Sequence, residues 1–136
     1  MRYMLDTNIC IHLMRQQSEH AAARIEQVNP GDIVMSVVTL AELRHGVERA
    51  PENKRAAEQA LKVLLSFIPV APFDQEAAVS YGVIAAAVRD RRRDALDRLI
   101  AAHAISLGVT LVTNNEKDFS DYPGLTVENW IRQPPE

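Results

Sequence analysis

Four carboxylates and a carboxamide stand out by where they fall. Asp6 closes the short apolar run Met4-Leu5 and opens the polar triplet Asp6-Thr7-Asn8. Glu42 lies just past the run Ile33-Val34-Met35, and Asp97 heads the apolar stretch Leu99–Ile105. Asn115 and Asp118 follow Val109–Val112. Acids gathered at one edge of a sheet repel one another and cannot all stay ionised without a cation. No cysteine and histidine grouping has zinc spacing, and oxygen-only ligands favour Mg²⁺ or Mn²⁺. Such a centre suits hydrolysis of a phosphodiester by metal-activated water.

Each residue also has a plainer explanation. Asp6 or Thr7 can serve only to cap a helix. Glu42 can be a solvated glutamate favoured by a helix N-terminus. Local sequence leaves both readings open, and only the elements that carry the acids choose between them.

Those elements follow from the hydrophobic period. Residues 2–5 read as a buried strand that turns into a helix over Ile9–Arg15. Gln16-Gln17-Ser18 breaks it, Glu19–Val28 reads as a second helix, and Asn29-Pro30-Gly31 is a turn. Ile33–Met35 is a strand. Ser36 or Thr39 then caps a helix carrying Glu42, with Leu40, Leu43 and Val47 on its apolar face. A helix is expected over Asn53–Phe67 and an edge segment over Ile68–Val70, where Pro69 argues against a central strand. Asp74 should cap a helix through Val88, and Asp97 should precede the next, which Gly108 ends. Val109–Val112 and Leu125–Val127 complete the strands. Strands alternating with helices make an α/β fold with a mostly parallel central sheet flanked by helices. The carboxyl edge of such a sheet is where sites form.

Bulk properties narrow the class. A chain of 136 residues, 47% hydrophobic, has the size of one domain with a core of its own. A formal charge of −3 argues against general electrostatic attraction to nucleic acid, leaving only a local patch. The one cysteine, Cys10, precludes an internal disulfide and suits a reducing cytoplasm. An acid at position 6 interrupts any signal peptide, and runs such as Val83–Val88 are too short to span a bilayer.

Four segments together resemble the signatures of PIN-domain nucleases, and more narrowly of VapC toxins from bacterial type II toxin–antitoxin modules. They are Met4–Asn8, Thr39–Gly46, Asp97–Ala104 and Leu111–Phe119. The ending Pro123–Trp130 is also similar to that group. The resemblance runs over essentially the whole chain and implies a single PIN domain over 1–136 with a three-layer fold. It implies a Mg²⁺-dependent endoribonuclease in which Mn²⁺ can substitute. Its acids map to Asp6, Glu42 and Asp97 as metal-site residues, with Asn115 at the fourth acidic position and Asp118 supplying extra charge. Thr7, Asn8 and Thr113 would orient the carboxylates. One departure precedes Asp97, where the family often has a glycine- and proline-containing turn and this chain has Arg93-Asp94-Ala95-Leu96. The resemblance further implies a homodimer and a cognate VapB-type antitoxin. Toxin and antitoxin would form a larger assembly that meets operator DNA through the antitoxin. The RNA target is expected to be tRNA, initiator tRNA first.

Arg89, Arg91, Arg92, Arg93 and Arg98 form the one basic cluster, read either as an RNA phosphate contact or as a solvated helix end. His103, on an apolar helix, reads as a packed or hydrogen-bonded histidine. Cys10 reads as a small buried hydrophobe and Trp130 as a core or interface anchor. Ile9, Leu13, Met14 and Ile25 exceed what one small sheet needs and point to partner surface. Two other functions are compatible with an aspartate after the first strand. One is a non-catalytic PIN-like module that binds RNA or protein. The other is a metal-dependent phosphatase of the haloacid-dehalogenase type, which wants a second aspartate where this chain has Asn8.

Overall fold

The computed structural model describes residues 1–88 and 95–131. Its elements in chain order are β1 (Tyr3–Leu5), α1 (Thr7–Met14), α2 (Glu19–Gln27), β2 (Ile33–Ser36), α3 (Val37–Arg49) and α4 (Lys54–Leu65). Then follow β3 (Val70–Ala71), α5 (Gln75–Ala87), α6 (Ala95–Leu107), β4 (Thr110–Val112), α7 (Glu116–Phe119) and β5 (Val127–Glu128). The strands form one sheet in the order β3-β2-β1-β4-β5, and every pairing is parallel. Parallel neighbours need crossover helices, which cover both faces and give three layers.

Period-two alternation divides the sheet's side chains between two cores. Tyr3, Leu5, Ile33, Met35 and Val112 join Ile9, Cys10, Leu43, Leu61 and Trp130 on the face of α1, α3 and α4. Met4, Val34 and Leu111 join Ile84, Ile100, Ala101, Ala104 and Phe119 on the face of α5, α6 and α7. Trp130 stacks edge-on against Tyr3 at 5.1 Å and donates its Nε1–H to Glu128, so it anchors the core. Cys10 is a buried thiol whose pKa burial pushes up. Ile9 is spent in this core, whereas Leu13, Met14 and Ile25 only lean against it.

Expected boundaries shift where tertiary pairing overrides local pattern. The edge strand is Val70–Ala71 rather than Ile68–Val70, because Met35 N–H reaches the Pro69 carbonyl and sets the register. The last strand is Val127–Glu128, paired with Leu111 and Val112. Residues 116–119, in the polar stretch after β4, close one helical turn. α6 begins at Ala95, so Asp97 lies inside its first turn rather than ahead of it. Gly108 does end α6: at φ +67° it lets its own N–H reach Ile105 and Val109 N–H reach Ala104, the left-handed closure glycine favours.

Candidate active site

The chain winds from β1 outward through β2 to β3, then returns across β1 to β4 and β5. The helices leaving β1 and β4 therefore depart to opposite faces, and a crevice opens between those two strand ends. Asp6 sits at its base. Its N–H is bonded to Val112 O of β4 at 2.9 Å, and its Oδ1 accepts from Ile9 N–H at 2.9 Å, capping α1. The helix-cap reading of Asp6 is thus correct, but it is not the whole account. The side chain is almost fully buried, accepts from Thr113, and feels the charges of Asp97 and Glu42. Burial above all, with those two like charges, pushes its pKa up to about 6 against the pull of Thr113 and Ile9.

Glu42 arrives from α3, whose N-cap is Ser36: its Oγ accepts from Val38 N–H at 3.0 Å. Of the two expected caps, Ser36 fills the role. Thr39 turns inward and is fully buried. Thr7 Oγ1 donates to Glu42 Oε1 at 2.7 Å and lies 3.4 Å from Thr39 Oγ1. Thr7 and Thr113 therefore hold Glu42 and Asp6 as expected. Asn8 does not: its side chain is exposed on α1, and it is its backbone carbonyl that His12 Nδ1 meets. Asp97 comes from the first turn of α6, where the helix dipole favours an acid.

Asn115 and Asp118 stand at the end of β4 and bond to each other, Asn115 donating from Nδ2. Asn115 is exposed, and its N–H donates to Thr113 Oγ1 at 3.0 Å, which links the pair to the hydroxyl that bonds Asp6. Arg98 departs from expectation. It is buried, 9% exposed, and so leaves the solvated basic cluster. Arg89, Arg91, Arg92, Arg93 and Asp94 lie outside the described residues. Thr39 was read from sequence only as a possible cap. Its spacing of three residues before Glu42 on one helix was the available signal.

Among the described residues no three His, Cys, Asp or Glu side chains draw together tightly enough to cage an ion. What the crevice offers is carboxylate oxygen and uncompensated negative charge at Asp6, which suits a hard divalent cation. Alongside Glu42 runs a groove of about 280 Å³ walled by Ile11, Met14, Leu43, Val47 and Ala57.

The model of the PIN domain matches residues 3–125. The chain belongs to the PIN-domain family. Within it, curated relatives of this chain include VapC ribonucleases. The tRNA(fMet)-specific endonuclease VapC of Salmonella typhimurium is 34% identical over 96% of this chain and 98% of its own. Ribonuclease VapC2 of Rickettsia felis is 34% identical over the same shares. Among solved structures, VapBC2 of Rickettsia felis bound to a promoter DNA fragment superposes with a TM-score of 0.88. It is 33% identical and covers 96% of this chain and 99% of that one. VapBC-1 of nontypeable Haemophilus influenzae superposes at 0.85, with 33% identity over 97% and 100%. The chain is thus a VapC-type ribonuclease of the PIN family, a hydrolase, and PIN nucleases generally depend on a divalent metal. No helix among the described residues is long and apolar enough to cross a membrane.

Proposed function

We propose that this chain is the toxin of a VapBC module, a Mg²⁺-dependent endoribonuclease that cuts tRNA, initiator tRNA first, in the cytoplasm. The observation that carries the site assignment is the buried Asp6 sharing a field with Asp97 and Glu42. Asp6 and Asp97 would hold the ion, and Glu42, fixed by the Thr7 hydroxyl, would hold it or orient the attacking water. Mn²⁺ would substitute. The ion would supply a nucleophile at neutral pH and shield the leaving oxygen. Asn115 and Asp118 would steady this arrangement from outside. Residues 1–136 would form a single PIN domain.

The likeness to VapBC complexes supports a cognate VapB-type antitoxin and a larger assembly, with operator DNA contacted by the antitoxin. The groove beside Glu42 gives an antitoxin segment a seat from which a basic side chain reaches the acids. A homodimer is part of the same proposal, and a clean monomer by light scattering at micromolar concentration counts against it.

The decisive experiment is incubation of total bacterial RNA with antitoxin-free protein in Mg²⁺, in EDTA, and with Asp6→Asn. Discrete cuts lost in both controls support the reading, and end-mapping names the target. Folded protein that leaves tRNA, rRNA and mRNA intact in Mg²⁺ and Mn²⁺ returns the chain to the binding-module reading.

A further inference from the structure

His103 is among the largest fully buried side chains, on an otherwise alanine-rich face of α6. Its Nδ1 lies 2.7 Å from Ser36 Oγ, and Phe73 packs edge-on against the ring at 5.3 Å. Burial lowers the imidazole's pKa, while the charge of Asp74 and the Pro72 carbonyl oppose that. Nε2 makes no hydrogen bond of good geometry. A buried imidazole with one strong partner is an expensive way to fill space that leucine would fill. Its partner is also unusual. Ser36 ends β2 and caps α3 at once, so the same hydroxyl oxygen takes Val38 N–H and meets His103.

The positions along the two helices give this contact its meaning. Glu42 lies six residues beyond Ser36, and Asp97 six residues before His103. Each acid is thus about 9 Å of helix from the contact. α3 and α6 are different crossover helices, 67 residues apart at this bond. Small slips between them change the separation of Glu42 and Asp97 directly.

We propose that His103 is a positioning residue, whose hydrogen bond to Ser36 pins α6 to the start of α3 and thereby sets the spacing of Asp97 and Glu42. This rests on the assignment of those two acids to the active site. It adds a residue with no contact to substrate or metal.

The test compares wild type, His103→Leu, His103→Asn, Ser36→Ala and the double variant Ser36→Ala/His103→Leu. Two readouts are taken: Mn²⁺ binding by calorimetry, and kcat and KM for bulk bacterial tRNA in Mg²⁺. A misplacement of about 1 Å caused away from the chemistry can cost about a hundredfold in rate. His103→Leu should therefore lose about tenfold in Mn²⁺ affinity and in kcat, with KM moved less than about twofold. Asparagine places a polar atom near the site of Nδ1 and should recover most of the loss. His103→Leu should add little in the Ser36→Ala background. Wild-type kcat and Mn²⁺ affinity in His103→Leu overturn the pin. So does an asparagine variant as impaired as leucine, or fully additive losses. Should His103→Leu fail to fold by circular dichroism, folded Ser36→Ala carries the test: unchanged kcat and Mn²⁺ affinity refute the proposal. Wild-type protein that neither binds Mn²⁺ nor cuts tRNA refutes the site assignment itself, and the pin with it.

Discussion

Helix α3 carries two glutamates with opposite surroundings. Glu48, with Glu58 across on α4, is exposed and neutralised: Arg44 meets Glu58 through two bonds of 2.8 Å, and Lys54 meets Glu48 at 2.9 Å. The Arg44 guanidinium holds Glu58 below the usual carboxylate range. Glu42, on the same helix, shares the crevice with Asp6 and Asp97, and there Asp6 is driven the other way, to about 6. Charge that only solubilises and docks a helix is paired in water at little cost. On the proposed assignment, Asp6 is the buried acid held beside like charges, which a divalent cation would neutralise. The difference separates the working edge of this sheet from its surface.

The largest expected effect falls on the crevice side of the comparison. Asp6→Asn should lower RNA cleavage about a thousandfold or more, since an ion of this kind supplies several kcal/mol in the transition state. Gel assay of tRNA cleavage in Mg²⁺ checks it, and residual activity near wild type removes Asp6 from the site.

The same substitution should stabilise the metal-free protein. The folded pKa of Asp6, about 6, lies above the ordinary 3.8, so the folded state binds the proton more tightly. Stability is therefore highest below about pH 4 on this account and falls as pH rises from about 4 to 6, then levels off. The penalty at neutral pH is roughly 3 kcal/mol. Asparagine mimics the protonated acid and caps a helix equally well. Urea unfolding in EDTA should find Asp6→Asn more stable than wild type at pH 7.5, with the gap closing towards pH 4. A variant less stable at pH 7.5 contradicts the burial argument.

Thr7→Val should cut kcat about tenfold by releasing Glu42, and Thr7→Ser should recover it. Equal activity in all three would mean that Glu42 orients itself. On the salt-bridged surface of α3 and α4, Glu58→Gln should leave cleavage unchanged and lower the melting temperature only slightly, and less still in high salt. A loss of activity there would show that the α3–α4 surface belongs to the site after all.

Much of this was legible in the chain. Met4-Leu5-Asp6 announces a strand feeding a turn because burial on both faces and an acid at the end are local facts. The signatures around Asp6, Glu42, Asp97 and Asn115 carried the family. The limits were also physical. Arg98 reads as one more member of an arginine run, yet it falls on the inward face of α6 and is buried. Asp118 and Asn115 bond to each other, a choice that spacing alone leaves open.

By itself, then, the sequence determined the alternation of buried strands and crossover helices, the parallel sheet, and the acids that stand at strand and helix ends. These depend on period and on local backbone preference. Only the tertiary structure decided the strand order that opens a crevice between β1 and β4. The same is true of Thr7 meeting Glu42 across 35 residues and His103 meeting Ser36 across 67. Such contacts are set by how two helices pack on a common sheet, and local sequence carries no record of that distance.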